Sequence, residues 1–300
     1  MFNFKKIFSI NPIYGDTHYE LYFLGIKLKF KKPSFVLSGI ISETVAREVY
    51  AVNDVRILHK KTFEQFLNCH NSQYITIIGC GPTLKYYQNE ADYINIALNK
   101  ALFLEGITFK YSFAQDATIL KTHPNYINEI LLKGDCIKFL GKYMHPEMAQ
   151  IPELTYNESN NIYRYYSAKR LWFSGISFSN YIYPDISVHP LADFSSVSFA
   201  AMHFAAYTHP KKIYLVGLDT CNSGHYFAVK SKYNFKDILF GYKKFKNFMK
   251  VFYPDTEIIS VNPVGLKGMF KDVYTQSFVD VHPELLKENI EIIRGYKDDK

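Results

Sequence analysis

The sequence predicts an α/β fold, a mostly parallel sheet covered by helices on both faces. Two observations carry this expectation. From Tyr74 onward, short apolar runs of strand length alternate with stretches of helical periodicity. Two of the strand runs also end in turns that contain glycine, Gly79-Cys80-Gly81-Pro82-Thr83 and Gly217-Leu218-Asp219. A chain of 300 residues, 48% of them apolar and spread along its length, can bury a substantial core.

The elements follow in order. His18 to Lys32 reads HYELYFLGIKLKFKK, a near alternation of apolar and polar residues with Gly25 at the slip. It predicts a small β-hairpin within an N-terminal extension over 1–36, ahead of a main domain over 37–300. Pro33 and Ser34 break the pattern, and Ile40 to Cys69 turns helical, with Ser42 as a cap and Val45, Val49, Val52 and Val55 at helical spacing. Tyr74–Ile78 reads as a buried strand and Leu84 as the start of a helix. Strands are expected at Tyr93–Leu98, Phe109–Ala114 and Cys136–Leu140, with a helix at Asn125–Leu132. Glu153–Pro190 reads as loops and short elements. A helix of small apolar residues covers Ser196–Tyr207, and a buried strand covers Lys212–Val216. A lid is expected near 220–234. An amphipathic helix at Asn234–Phe252 and a strand at Glu257–Val261 complete the pattern.

Composition narrows the function. No uninterrupted apolar run approaches the roughly 18 residues of a spanning helix, and the apolar part of Met1–Ser9 is too short for a secretion signal. The expectation is a cytoplasmic protein. Four cysteines, Cys69, Cys80, Cys136 and Cys221, lie scattered without a Cys-x-x-Cys pair, which argues against structural zinc and against a disulfide framework. The net charge is +7, and Lys27, Lys29, Lys31 and Lys32 cluster near the N-terminus. The cluster reads as a solvated strand end or as a weak attraction to an anionic surface. No nucleic-acid partner is expected.

The chemistry-bearing motifs sit where strands end. In Ile77 to Lys85, a strand enters a tight Gly-x-Gly turn that opens a helix. Glycine admits close approach of a ligand, and the N–H groups of such a turn suit phosphate. The same turn also serves as a plain strand-to-helix connection. Pro82 fits the first helical turn, where an N–H is not needed. The third glycine of a dinucleotide fingerprint is missing, and no P-loop Lys-Ser or Lys-Thr follows. Asp219, after Gly217, faces two readings: it orients a ribose, or it caps loop amides. Asn99, Gln115 and Asp116 follow two further strands and so fall at the same carboxyl edge, where open α/β sheets bind ligands. Together these features mark a Rossmann-like domain.

In this order the pieces resemble glycosyltransferase family 42, bacterial sialyltransferases that use CMP-sugar donors and decorate lipooligosaccharide. The residues that carry the resemblance are Gly79 to Leu84, Asn99, Ser195-Ser196-Val197 before an apolar helix, and Gly217-Leu218-Asp219 with Tyr226. Gln115 stands where the family has a second Asn. The resemblance spans about residues 74–265 and implies a GT-A-like variant of the Rossmann-like fold. It further implies a CMP-sugar donor held by Gly79, Cys80, Gly81, Pro82, Thr83, Asn99, Gln115, Asp116, Ser195, Ser196, Gly217 and Asp219, with a glycan acceptor. Tyr226 would meet the departing phosphate. A weaker resemblance extends to Rossmann-like proteins that include pterin diphosphokinases. The segment LYFLGIKLKFKK is similar to one that precedes many bacterial surface-glycan transferases, which favours glycan assembly in lipooligosaccharide or capsule. Peripheral contact with the cytoplasmic face of the inner membrane and a homo-oligomer are compatible with this reading.

Departures from the family are specific. Cys80 replaces an Asn, Cys221 falls where the family has a Tyr, and no Arg precedes Ser195. The stretch from His225 to the helix near Asn234 is too short to carry the family's late lid histidine. His225, in the loop after Asp219, is therefore the first candidate for a general base, since its ordinary pKa suits the task. His189 is the second, and His203, on the apolar helix, reads as core. The chain contains no Asp-x-Asp, so no metal cofactor is expected. Two rivals stand beside the transferase: an enzyme of another activated group on the same skeleton, and a non-catalytic nucleotide-binding scaffold.

Overall fold

A computed structural model describes residues 8–12, 18–23, 26–31, 52–89, 92–115, 135–142, 161–168, 182–221 and 235–293. Contacts divide the chain into two compact units, Met1–Tyr50 and Ala51–Lys300. In the first, strands β1 (Phe8–Pro12), β2 (His18–Phe23) and β3 (Ile26–Lys31) form an antiparallel sheet in the order β1-β2-β3. The β2–β3 pair is the hairpin read from the sequence, in register Leu21 to Leu28. The additional strand β1 carries Asn11 and Pro12 and gave no strand signal.

The second unit is built on a nine-stranded sheet in which every pairing is parallel. Its strands are β4 (Tyr74–Ile78), β5 (Ile94–Leu98), β6 (Tyr111–Ala114), β7 (Ile137–Lys142), β8 (Ile162–Tyr166), β9 (Lys212–Val216), β10 (Glu257–Val261), β11 (Lys271–Thr275) and β12 (Ile292–Ile293). The spatial order is β12-β11-β10-β9-β4-β5-β6-β7-β8. The chain thus starts at β4 in the middle, walks outward to β8, and returns to the other side of β4 with β9. The order reverses between β4 and β9, and that reversal is the switch point at which such sheets open a ligand crevice.

Both faces of the sheet are buried, which explains the mainly apolar runs of β4, β5, β9 and β10, broken only by the buried Thr76, Asn95 and Ser260. On one face Ile75, Ile77, Ile96, Phe113, Phe139 and Leu215 pack beneath helices α1 (52–63), α2 (Val197–Tyr207) and α3 (Phe235–Phe252), through Phe63, Phe199, Phe204 and Phe245. The α2 sequence, VSFAAMHFAAY, is buried from Ser198 to Tyr207, as a helix apolar all round must be. Ser196 caps it, its hydroxyl accepting the Ser198 N–H. On the other face Ile78, Ala97, Val216 and Val261 pack against Leu84, Ala101 and Leu102 of two 3-10 turns, Pro82–Tyr86 and Asn99–Phe103.

The structure corrects several expectations. The helix expected from Leu84 is the five-residue 3-10 turn Pro82–Tyr86, closed by i to i+3 bonds from Leu84 N–H to Gly81 O and Tyr87 N–H to Leu84 O. Within 153–190, read as loops and short elements, one short element is the strand β8. Beyond β10 the sheet continues with β11, the short helix α4 (Gln276–Val281), a 3-10 turn Pro283–Lys287, and β12. The helix expected at Asn125–Leu132 and the lid near 220–234 lie outside the described residues, apart from Thr220 and Cys221. Among the described residues no helix is long and apolar enough to cross a membrane.

Candidate functional site

The two glycine motifs meet at the switch point. Past the end of β4, the Gly79 N–H donates to Val216 O at 2.8 Å and the Gly81 N–H to Gly217 O at 2.7 Å, so the β4–β9 ladder continues into both turns. The approach is close enough to require glycine. A Cβ on Gly81 would lie 2.6 Å from Asp219 Cγ and 2.7 Å from Gly217 O. Gly217 itself has φ +62, in the left-handed region that costs other residues most. Thr83 then closes the junction. Its N–H donates to Asp219 Oδ2 at 2.9 Å and its hydroxyl donates to Asp219 Oδ1. Asp219, 6% exposed, therefore clamps the start of the 3-10 turn. Of its two sequence readings, this geometry is the capping one.

The consequence for anion binding is direct. The N–H groups of Gly79, Gly81 and Thr83 already have acceptors inside the protein, and Pro82 has none to offer. These three N–H groups are therefore not available to a phosphate. The Cys80 thiol offers no anion partner: it points at Leu98 O, 3.5 Å away, and burial pushes its pKa up to about 12, so it stays neutral.

Beside the clamp lies a cleft of about 400 Å³. Thr83, Pro82 and Asp219 form one wall, Lys85 and Tyr86 continue it, and Pro263, Val264 and Lys267 after β10 face it. The far side is Phe278, His282, Glu284 and Leu285 from α4 and the following turn. The Lys85 ammonium lies over the Tyr86 ring at 4.7 Å, and that ring meets Phe278 edge-on at 5.2 Å. His282 Nδ1 lies 3.2 Å from Glu284 Oε1, and Lys267 pairs with Glu288 at 2.7 Å, which holds the lysine pKa above its ordinary value. Its size and its mixture of apolar and charged lining residues suit a small polar ligand.

The remaining predicted residues gather on the other side of β4. Asn99 follows β5 with φ +50, and its side-chain oxygen is buried without a hydrogen-bond partner. Gln115, after β6, is 6% exposed and belongs to a buried polar network. Its Nε2 donates to Asp193 Oδ2 and to Ser167 Oγ at 3.2 Å, while the Ser167 hydroxyl donates to Asp193 Oδ2 at 2.7 Å. The Ser195 N–H, at φ +67, donates to Asp193 Oδ1 at 2.9 Å. Asp193 thus ties the edge of the sheet to the start of α2. Sequence reading missed it, because its partners lie far away in the chain. Gln115, Ser195 and Ser196 are in this arrangement occupied by the protein itself. Asp116, His225 and Tyr226 lie outside the described residues.

The histidines separate by environment. His59 and His203 are fully buried. His59 Nε2 accepts the Tyr166 N–H at 2.8 Å and its Nδ1–H points between Ile186 O and His189 O. His203 Nδ1 accepts the Ala192 N–H at 3.0 Å and its Nε2–H donates to Tyr183 O at 2.6 Å. Burial lowers both to about pH 4, so both are neutral structural links. His203 is core, as expected. His189 stacks on Tyr183 with centroids 4.2 Å apart and precedes Leu191, which bridges to Ser167 beyond β8. The β8 edge is four strands from β4, about 20 Å at the usual strand spacing. His189 does not line the cleft beside the clamp.

No family model matches the chain, and no curated protein matches its sequence. Among solved structures, the chain is similar to the sialyltransferase CstII from Campylobacter jejuni in complex with the substrate analogue CMP-3FNeuAc. The superposition has a TM-score of 0.37 and 16% sequence identity, and covers 63% of this chain and 79% of that one.

Proposed function

We propose that the protein is a glycosyltransferase that moves a sialic-acid-type sugar from a CMP-activated donor to an acceptor sugar of a bacterial surface glycan, without a resident metal. One observation carries this reading. The described residues of the donor pattern, Gly79–Thr83, Asn99, Gln115, Ser195, Ser196, Gly217 and Asp219, all fall at the carboxyl edge of one parallel sheet, on both sides of its switch point. That edge is where such a sheet binds nucleotides.

The geometry shifts the assigned roles. Gly79, Gly81 and Asp219 build the edge instead of holding the phosphate. Charge on the departing CMP would be met by Tyr226 and by a lysine of the cleft, with Lys85 placed best because it stands next to the Thr83–Asp219 clamp. His225 would take the proton of the acceptor hydroxyl.

Ligand-induced stabilisation tests the donor. CMP or CDP should raise the melting temperature more than UDP, GDP or ATP, and at 100-fold over Kd the stabilisation should be about 2.7 kcal/mol. Stabilisation by ATP alone would replace this reading with a kinase-like one. In a transfer assay with CMP-sialic acid, His225→Ala should lower kcat while CMP still raises the melting temperature as in the wild type. Full activity in that variant would remove His225 from the mechanism. CMP binding by a wild type that neither transfers nor hydrolyses the donor would favour the scaffold.

A further inference from the structure

The outward face of α3 has no role in the site, and its composition is unusual for a solvated face. Residues 236, 240, 243, 244, 247, 250 and 251 recur at helical spacing along it and all are exposed. Lys243, Lys244 and Lys250 flank Phe240 and Val251, against a single acid of the helix, Asp237. Phe240 is 47% exposed and Val251 70%. The Lys244 ammonium sits over the Phe240 ring at 5.3 Å, so the aromatic and the charge form one patch. The opposite face of the helix is fully committed to the core through Tyr242, Phe245, Phe248 and Met249. On the same side of the sheet, α1 also exposes Ile57, at 65%, but there Glu64 pairs with Lys60 and Asp54 partly balances Arg56 and Lys61.

We propose that this face of α3 is a docking surface for an anionic lipid bilayer. Charge complementarity selects the partner, since three lysines against one aspartate seek a negative surface. The two apolar side chains between them select a bilayer over a nucleic acid, whose backbone offers them nothing to bury into. Lysine stems reach along the surface to the phosphates while Phe240 and Val251 enter the interface, the arrangement of a helix that lies on a membrane. Contact of this kind is peripheral and reversible.

Co-sedimentation of the full chain with vesicles tests it. Wild type should sediment with phosphatidylcholine vesicles that contain phosphatidylglycerol, should not sediment with phosphatidylcholine alone, and should be released by high salt. The double variant Phe240→Ser, Val251→Ser should bind about tenfold more weakly at low salt, and Lys243→Glu with Lys244→Glu should not bind. Val251, Lys243 and Lys244 are exposed, so the lysine variant should melt as the wild type does, whereas Phe240 meets the Phe194 ring edge-on at 6.3 Å and the serine variant should keep a single cooperative transition at a slightly lower temperature. Three results would overturn the proposal. One is wild type left in solution with acidic vesicles. Another is a serine variant that binds as the wild type does. The third is capture on polyglutamate beads without vesicle binding, which would assign the face to an acidic protein.

Discussion

Between about pH 6.5 and pH 4 the protein should lose roughly 3 kcal/mol of stability through each of two histidines, His59 and His203. Burial lowers both to about 4 in the folded chain, from an ordinary value of 6.5. A histidine with a depressed folded pKa contributes its stability above the unfolded value. As pH falls through 6.5 the unfolded chain takes up protons that the folded chain refuses, and the loss is complete only near pH 4. The hydrogen bonds explain the refusal. Nε2 of His59 and Nδ1 of His203 each accept a backbone N–H, so protonation would set two donors against each other in a dry site. Urea unfolding measured at several pH values should show a slope of about 1.4 kcal/mol per pH unit per histidine within the window. His59→Asn keeps a donor near the Nδ1 position and removes the titration. It should be less stable at pH 7 but should show a shallower slope. Identical slopes in wild type and variant would refute the assignment.

How much of this fold the sequence shows depends on how each strand is buried. β4, β9 and β10 were legible to the residue, because both faces are covered and turn residues bound the apolar runs. The amphipathic α3 was legible for the complementary reason, one face buried and one in solvent. β8, IYRYY, was not. It is the outer strand of the sheet, and Tyr163 and Arg164 are only half-buried, so neither an apolar run nor an alternation forms. β11, KDVYT, buries only Val273 and Tyr274, and β12 has two residues. With β11 and α4 unseen, the cleft wall of Phe278, His282 and Leu285 could not be anticipated either.

At the site, the sequence showed which residues gather at the edge but not whom they bond. Thr83 and Asp219 are 136 positions apart, and Gln115 and Asp193 are 78 apart. No local pattern announces such pairs. An aspartate after a strand fits a ribose contact and a loop cap equally well on paper. The choice between them is made by register: β4 and β9 pair Ile78 with Val216, which brings the two turns side by side. Cys80 illustrates the same limit. As a departure from the family's Asn it reads as a lost ligand contact, whereas its surroundings make it a neutral filler between the ends of β4 and β5.

Asp219→Ala should destabilise the protein by about 4 kcal/mol, because it removes two hydrogen bonds to a buried carboxylate and leaves the Thr83 N–H and hydroxyl without acceptors. Asp219→Asn should cost about 1–2 kcal/mol. Its amide can still accept from the Thr83 N–H and donate to the Thr83 hydroxyl, and only the charge is lost. The expected order of melting temperatures is wild type, Asn, Ala. Amide exchange adds a local readout: the Thr83 N–H should be protected in the wild type and should exchange rapidly in Asp219→Ala. The effect on ligand binding follows from the same contacts. Thr83 and Asp219 form one wall of the cleft, and the Gly81 N–H to Gly217 O bond lies directly beneath them. A released 3-10 turn would carry Lys85 and Tyr86 with it, so stabilisation by CMP should fall in Asp219→Ala and largely survive in Asp219→Asn. A carboxylate that served only to touch a ribose would behave in the opposite way. Both variants would then melt with the wild type, Thr83 would stay protected, and only the response to CMP would change. That outcome would return Asp219 to the ligand and dissolve the clamp.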